Sequence, residues 1–94
     1  IKRQKDQGVC IVALELTSSS IDITSDEVKG FILKNSERPL CLLLGSENTG
    51  ISEGLLKHAD LTVHIEMCGR NSSMNVVSAA SIACFEICRY LSSR

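Results

Sequence analysis

Three short apolar runs alternate with polar segments along the chain. They cover residues 9–14, 40–44 and 61–65, and each follows a glycine, proline or acidic residue. Runs of this length are typical of strands in a parallel sheet whose faces are covered by helices. We therefore predict three strands. The first two should be buried, and the third should be less covered on one face because its alternation is partial.

Helix signals lie between and after these runs. Thr24 or Ser25 is a suitable N-cap for a helix that ends near residue 34, and Ser52 is a suitable N-cap for a second, short helix. A final helix is predicted over residues 74–91. It is apolar around much of its girth, which predicts packing against both the sheet and a second subunit. The alternation predicts an α/β fold with a mainly parallel sheet and flanking helices.

Composition narrows the class of protein. The 94 residues suit one small domain, and the net charge of −1 gives no overall electrostatic signal for nucleic acid. Any RNA contact must then come from a local patch, a partner subunit or further chain. No apolar run approaches the roughly 20 residues of a membrane span.

The cysteines indicate free thiols. There are 5, an odd number, and no Cys-x-x-Cys motif is present. Neither His58 nor His64 has the spacing of a metal ligand, so we predict no metal site. Unpaired thiols are typical of a reducing compartment, which favours the cytoplasm.

Two polar loops containing glycine follow the second and third predicted strands, at residues 45–50 and 66–72. In open parallel sheets, ligands bind beyond the carboxyl ends of the strands, so both loops should reach the same edge. Gly45 and Gly50 permit backbone angles and close ligand approach that side chains would block. Two such loops can surround a ligand with main-chain groups, which favours chemistry on a bound cofactor.

Individual polar residues in these loops leave alternatives open. Glu47 could accept hydrogen bonds from a ribose or from amides of its own loop. Asn75 could orient a substrate or form a turn at the start of the last helix, and Ser73 could cap that helix or touch a ligand. His58 and His64 have no visible nucleophile partner, which argues against a Ser/Cys–His hydrolase.

The two loops and their separation resemble a known family. The first motif is Gly45-x-Glu47-x-x-Gly50-Ile51, and the second is Ile65-x-Met67-x-Gly69-x-x-x-Ser73-Met74-Asn75-Val76. They resemble the second and third motifs of the SpoU/TrmH-type RNA 2′-O-ribose methyltransferases of the SPOUT superfamily. Because the chain begins with Ile1, we interpret residues 1–94 as the C-terminal portion of a single SpoU-type domain.

The resemblance implies a C-terminal trefoil knot, a homodimer packed through the knotted region, and S-adenosylmethionine as cofactor. It also implies methyl transfer to a ribose 2′-hydroxyl of tRNA or rRNA. The implied cofactor-binding residues are Leu44, Gly45, Glu47, Gly50, Ile65, Met67, Gly69 and Met74. The implied active-site residues are Glu47, Ser73 and Asn75.

The chain departs from the family pattern in three ways. Glu66 replaces the usual Pro, and Met74 replaces the usual Leu, which nearly conserves volume. A further motif of the family, its motif 1, consists of an Asn and an Arg on an early helix, and it is not in these residues. We therefore expect the 94 residues alone to have little or no activity. Two alternatives are a non-catalytic dimeric paralogue that binds RNA or nucleotide, and a generic nucleotide-binding α/β domain without a knot.

Overall fold

The computed structural model of the chain describes residues 6–45, 50–66 and 76–93. Within these ranges the strands are β1 (Cys10–Leu14), β2 (Ile21–Asp22), β3 (Leu40–Leu44) and β4 (Leu61–His64). The helices are α1 (Asp26–Lys34), α2 (Glu53–Leu56) and α3 (Val76–Ser92). Ser25 and Ser52 are the N-caps of α1 and α2, as predicted, and each hydroxyl accepts a main-chain N–H three residues on.

The strands form one sheet in the order β2-β4-β1-β3, and every neighbouring pair is parallel. The central strand β1 pairs with β3 along its whole length and with β4 on its other side. In each parallel pair, at least one helix lies in the segment of chain that connects the two strands, as parallel pairing requires. The predicted α/β class with a parallel sheet is confirmed.

The prediction of three strands was wrong, because β2 is a fourth. It has 2 residues, Ile21 and Asp22, and within the described ranges it pairs only with the end of β4. Its register sets Ile21 beside Val63 and Asp22 beside His64. A strand of this length has no apolar run that would mark it in the sequence. It is defined by its pairing with β4, which local sequence does not reveal.

Burial of the strands follows their place in the sheet. The four residues of β1 from Cys10 to Ala13 are each 0% exposed, which confirms a strand covered on both faces. The prediction that 40–44 is equally buried was wrong. Within the described residues β3 pairs only with β1, so its ends Leu40 and Leu44 remain 36% and 38% exposed. In β4 Val63 is buried and its neighbours are half-buried, as the partial alternation predicts.

The main core lies between one face of the sheet and helices α1 and α3. It joins Val12 of β1 and Val63 of β4 to residues of the two helices. The helix residues are Val28, Ile32, Ala83, Ile87 and Tyr90. Full burial of one such aliphatic side chain contributes about 1.5–3 kcal/mol relative to its exposure.

The amino edge of the sheet is fixed by charged side chains. The Asp60 carboxylate, just before β4, accepts a hydrogen bond from the Ile11 N–H over 2.8 Å. The Arg38 guanidinium donates to the carbonyl oxygens of Gly8 and Val9 over 2.9 and 3.1 Å. In the part of the chain described above, no helix is long and apolar enough to cross a membrane.

Candidate active site at the carboxyl edge of the sheet

The two strands that lead into the glycine-bearing loops end at the same level on either side of β1. The register pairs Leu14 with Leu44 of β3 and with Val63 of β4. Since neighbouring strands lie about 4.8 Å apart, the ends of β3 and β4 are about 10 Å apart. Both loops therefore leave one edge of the sheet, as the sequence predicts, with the end of β1 between them.

Four of the predicted cofactor-binding residues lie within the described ranges, all near this edge. Leu44 ends β3 and Gly45 follows it, while Gly50 stands where the chain returns to the sheet edge. Ile65 comes directly after β4 and packs against the core. The other predicted site residues lie outside the described residues, and their roles stay predictions: Glu47, Met67, Gly69, Ser73, Met74 and Asn75.

The two glycines of the first loop lie directly against each other. A Cβ added to Gly45 would contact the Gly50 carbonyl carbon and lie 2.6 Å from the Ile51 nitrogen. Gly50 has φ +67°, in the left-handed region that favours glycine. The backbone geometry therefore requires glycine at both positions, because the chain leaves the sheet edge and returns to it at the same place.

Glu15 is a residue of this edge that the sequence reasoning missed. It follows β1, and its carboxylate Oε2 accepts a hydrogen bond from the Ile51 N–H over 2.8 Å. Its own N–H donates to the Val63 carbonyl oxygen over 2.9 Å. An acidic residue directly after a buried strand was the available signal, but its partner depends on which strands are neighbours.

His64 has a hydroxyl partner that the sequence did not indicate. Its Nδ1 lies 2.8 Å from the Ser20 hydroxyl oxygen. The same hydroxyl donates to the Thr17 carbonyl oxygen over 2.9 Å and accepts the Thr17 N–H over 2.9 Å. Because its single proton is engaged with Thr17, the hydroxyl holds the 17–20 loop against β4 and is not set up as a nucleophile.

Glu66, which stands in place of the family's usual Pro, also contacts this histidine. Its Oε1 lies 3.2 Å from His64 Nε2, and its side chain is 69% exposed. The imidazole is thus bounded by Ser20 on one side and Glu66 on the other. Glu66, which differs from the family pattern, therefore has a local contact at the start of the second loop.

Two groups have shifted pKa values: Asp22, beside His64 near the carboxyl edge, and Cys10, at the amino end of β1. Hydrogen bonds from the Thr24 N–H and hydroxyl hold the pKa of Asp22 below its ordinary value, and the charge of His64 acts in the same direction. Burial raises the pKa of the Cys10 thiol, so this thiol stays protonated and serves as a small apolar side chain.

Within the described ranges, no group of three or more His, Cys, Asp and Glu residues could hold a metal ion. Four cysteines there have free thiols: Cys10, Cys41, Cys84 and Cys88. Cys84 and Cys88 are both exposed on α3, which agrees with the spacing that places them on one face.

Two apolar side chains are exposed at this edge. Leu16, just after β1, is 68% exposed, and Leu44 at the end of β3 is 38% exposed. Apolar side chains of this kind pack against a base, while main-chain groups beside glycines can approach a ligand closely. The residues present therefore fit a ligand that combines an apolar ring with polar groups.

Comparison with known proteins decides the family. The profile of the SpoU rRNA Methylase family matches residues 1–85. The chain belongs to this family. Among curated relatives of this SpoU-family chain is the tRNA (guanosine(18)-2′-O)-methyltransferase of Escherichia coli K12. It is 33% identical over 82 residues, which are 87% of the chain and 32% of the relative.

Solved structures of SpoU proteins share the fold. The AdoMet-bound rRNA methyltransferase from Sinorhizobium meliloti superimposes with a TM-score of 0.77 at 32% identity. That match covers 96% of the chain and 31% of the solved one. The A. aeolicus TrmH/SpoU tRNA modifying enzyme gives a TM-score of 0.75 at 28% identity, covering 98% and 43%. The SpoU-family chain thus spans about a third of the curated relative named above.

Proposed function

We propose that the protein carrying this chain transfers a methyl group from S-adenosylmethionine to a ribose 2′-hydroxyl of tRNA or rRNA. The observation that supports the proposal is that β3 and β4, the strands that precede the two motifs, are parallel to β1, flank it and end at one edge of the sheet, in a chain whose residues 1–85 match the SpoU family. The name of the E. coli relative, a tRNA 2′-O-methyltransferase, supports the ribose hydroxyl as acceptor.

S-adenosylmethionine fits the described edge, and a related structure holds AdoMet. We propose that Leu44, Gly45, Gly50 and Ile65 contribute to its site. The motif adds the undescribed cofactor residues Glu47, Met67, Gly69 and Met74. When bound, the cofactor supplies an electrophilic methyl group on a sulfonium.

The contribution of the protein is mainly orientation. Holding the acceptor oxygen in line with the methyl group removes the entropic barrier of bringing them together. By the family resemblance, Glu47, Ser73 and Asn75 are the proposed active-site residues. A ribose hydroxyl is weakly acidic and also needs a base or a cation nearby. The Arg of the family's first motif is not in these residues, so we expect residues 1–94 alone to be nearly inactive.

A homodimer is part of the proposal. On α3 the residues Ala83, Ile87 and Tyr90 face the core, while Ile82 and Phe85 are 41% and 69% exposed. A helix with a second apolar side is suited to burial against another surface. We propose that the occupant is α3 of a second copy, packed through a trefoil knot as in the family. The free thiols favour the cytoplasm as location.

The proposal is tested on the natural full-length protein. Titration calorimetry with S-adenosylmethionine should give saturable binding, and radiolabelled methyl groups should appear in tRNA or rRNA transcripts. A transcript with a 2′-deoxyribose at the modified nucleotide should not be labelled. Binding without transfer would instead identify the non-catalytic paralogue, and the absence of binding would contradict the proposal altogether.

A further inference from the structure

Glu15 joins the two loop-bearing sides of the sheet edge. Its N–H donates to Val63 of β4 over 2.9 Å, which continues the pairing of β1 with β4 by one residue. Its side-chain Oε2 accepts the Ile51 N–H over 2.8 Å, across 36 residues of sequence. One residue at the end of the central strand therefore contacts the end of β4 and the return of the loop that follows β3.

The Glu15 carboxylate also packs against the glycine pair. A Cβ added to Gly50 would contact Glu15 Oε1 and lie 3.1 Å from Glu15 Cδ. On the other side, a Cβ added to Gly45 would lie 2.8 Å from the Gly50 Cα. We call these contacting groups of Glu15, Gly45, Gly50 and Ile51 the loop neck. The neck leaves no space for a side chain at either glycine.

The hydrogen bond from the Ile51 N–H to the Glu15 carboxylate is charge-assisted. A carboxylate that accepts a main-chain N–H forms a charge-assisted bond, which is shorter and stronger than a bond between neutral groups. Ile51 is 7% exposed with the Glu15 carboxylate in place, so the bond lies in a largely buried part of the edge. Loss of Glu15 would remove the acceptor of the Ile51 N–H at the point where the loop rejoins the fold.

We infer that Glu15 is a positioning residue, which closes the loop neck and so holds Gly45, Gly50 and Ile51, the described residues of the first glycine-bearing motif, in place for cofactor binding. The inference rests on the proposed function, because it assigns Glu15 a part in binding S-adenosylmethionine. Glu15 acts through Gly50 and Ile51. Its role is thus distinct from that of Glu47, which lies inside the loop.

The test compares Glu15→Ala and Glu15→Gln with Asp60→Ala in the natural full-length protein. Asp60 is a matched control because its carboxylate also accepts a main-chain N–H of the β1 segment, from Ile11 over 2.8 Å, but at the amino edge. Titration calorimetry gives the Kd for S-adenosylmethionine, thermal melting gives Tm, and hydrogen exchange without cofactor reports the Ile51 amide.

We expect Glu15→Ala to weaken cofactor binding about tenfold and to speed exchange at the Ile51 amide. Glu15→Gln keeps an oxygen acceptor and should retain most of the affinity. Asp60→Ala should lower Tm while leaving the Kd unchanged. Equal loss of affinity in Glu15→Ala and Asp60→Ala would overturn the inference, as would an unchanged Kd in Glu15→Ala.

The experiment separates this inference from the proposed function. If the wild-type protein shows no saturable cofactor binding, the proposed function fails and the positioning role fails with it. Hydrogen exchange then still decides whether Glu15 closes the neck, since that measurement uses no cofactor. If the wild type binds and transfers methyl groups, Glu15→Ala should raise the KM for the cofactor more than it lowers kcat.

Discussion

The hydroxyl of Tyr90 donates a hydrogen bond of 2.6 Å to the carbonyl oxygen of Ile23, 67 residues earlier in the chain. Tyr90 and Ile23 are 2% and 1% exposed, so the bond is shielded from water. It fixes the last turns of α3 against the segment that joins β2 to α1. Burial is also the main reason that the pKa of Tyr90 is raised.

Removing this hydroxyl should destabilise the protein. Tyr90→Phe keeps the ring but leaves the buried Ile23 carbonyl without its donor, and we expect a loss of about 1–3 kcal/mol in the free energy of unfolding. Urea denaturation measures the change. Ser92→Ala removes an exposed hydroxyl from the same helix and should change stability by less than about 0.5 kcal/mol. Equal effects of the two substitutions would contradict this account of Tyr90.

Gly45→Ala should disrupt the loop neck. The added methyl would collide with the main chain of Gly50 and Ile51, which cannot move without opening the loop, so we expect destabilisation of about 1–3 kcal/mol and weaker cofactor binding. Gly30→Ala in α1 is the control. Its new methyl would have no heavy atom within 4 Å, and it should stabilise the exposed helix by up to about 1 kcal/mol. Tolerance of Ala at position 45 would show that the neck is not closed.

Ser20→Ala should loosen the 17–20 loop. The change removes the hydroxyl that Thr17 and His64 share, and we expect a loss of about 1–3 kcal/mol in the free energy of unfolding. Exchange of the Thr17 amide, followed by NMR, should become faster. Ser18→Ala, at an exposed position in the same loop, should leave both quantities nearly unchanged. A Thr17 amide as protected in Ser20→Ala as in wild type would refute the contact.

Asp22 should contribute to the acid sensitivity of the fold. Its folded pKa lies below the unfolded value, so its stabilising effect is present above about pH 4 and is lost as the pH falls through the folded pKa. Asp22→Asn should therefore make the free energy of unfolding less dependent on pH in this acid range. Urea titrations at several pH values measure the slope.

A second substitution isolates the cause of the Asp22 shift. Thr24→Val removes the hydroxyl donor and keeps the main-chain N–H, which has the larger effect on the Asp22 pKa. It should therefore flatten the acid slope in the same direction, but by less than Asp22→Asn. An acid slope unchanged in both variants would rule out a role for this carboxylate.

Phe85→Glu should weaken the proposed dimer. The substitution places a charge on the exposed apolar side of α3, where Phe85 is 69% exposed. We expect the full-length protein to shift from dimer to monomer in light scattering after size exclusion. Ser18→Glu adds the same charge at an exposed loop position and should leave the dimer intact. A protein that is monomeric as wild type would contradict the proposed assembly.

The sequence predicts the elements of this fold better than their arrangement. Local signals sufficed for β1 and for the caps Ser25 and Ser52, because a buried apolar run or a capping hydroxyl acts over a few residues. The run 40–44 was predicted as a buried strand, but among the described residues it lies at the edge of the sheet and its ends are exposed. Local sequence does not contain the strand order, and burial depends on it.

The candidate site was also predicted only in part from local sequence. The glycine spacing predicted a loop at the carboxyl edge, and the structure gives the reason in the contact between Gly45 and Gly50. Glu15 and the Ser20–His64 pair were not predicted as parts of that edge. Their partners lie 36 and 44 residues away. The pairing of β1 with β3 brings Glu15 close to Ile51, and the pairing of β2 with β4 brings Ser20 close to His64.

The strand order has a consequence for folding during synthesis on the ribosome. Within the described residues β4 is the last strand to be synthesised, yet it lies between β1 and β2, which emerge far earlier. The nascent chain must keep a gap beside β1 until residue 64 has left the exit tunnel, and such distant pairing is slow to form. A chain stalled before that point could pair β1 with β3, but the side of β1 that β4 later covers would remain open.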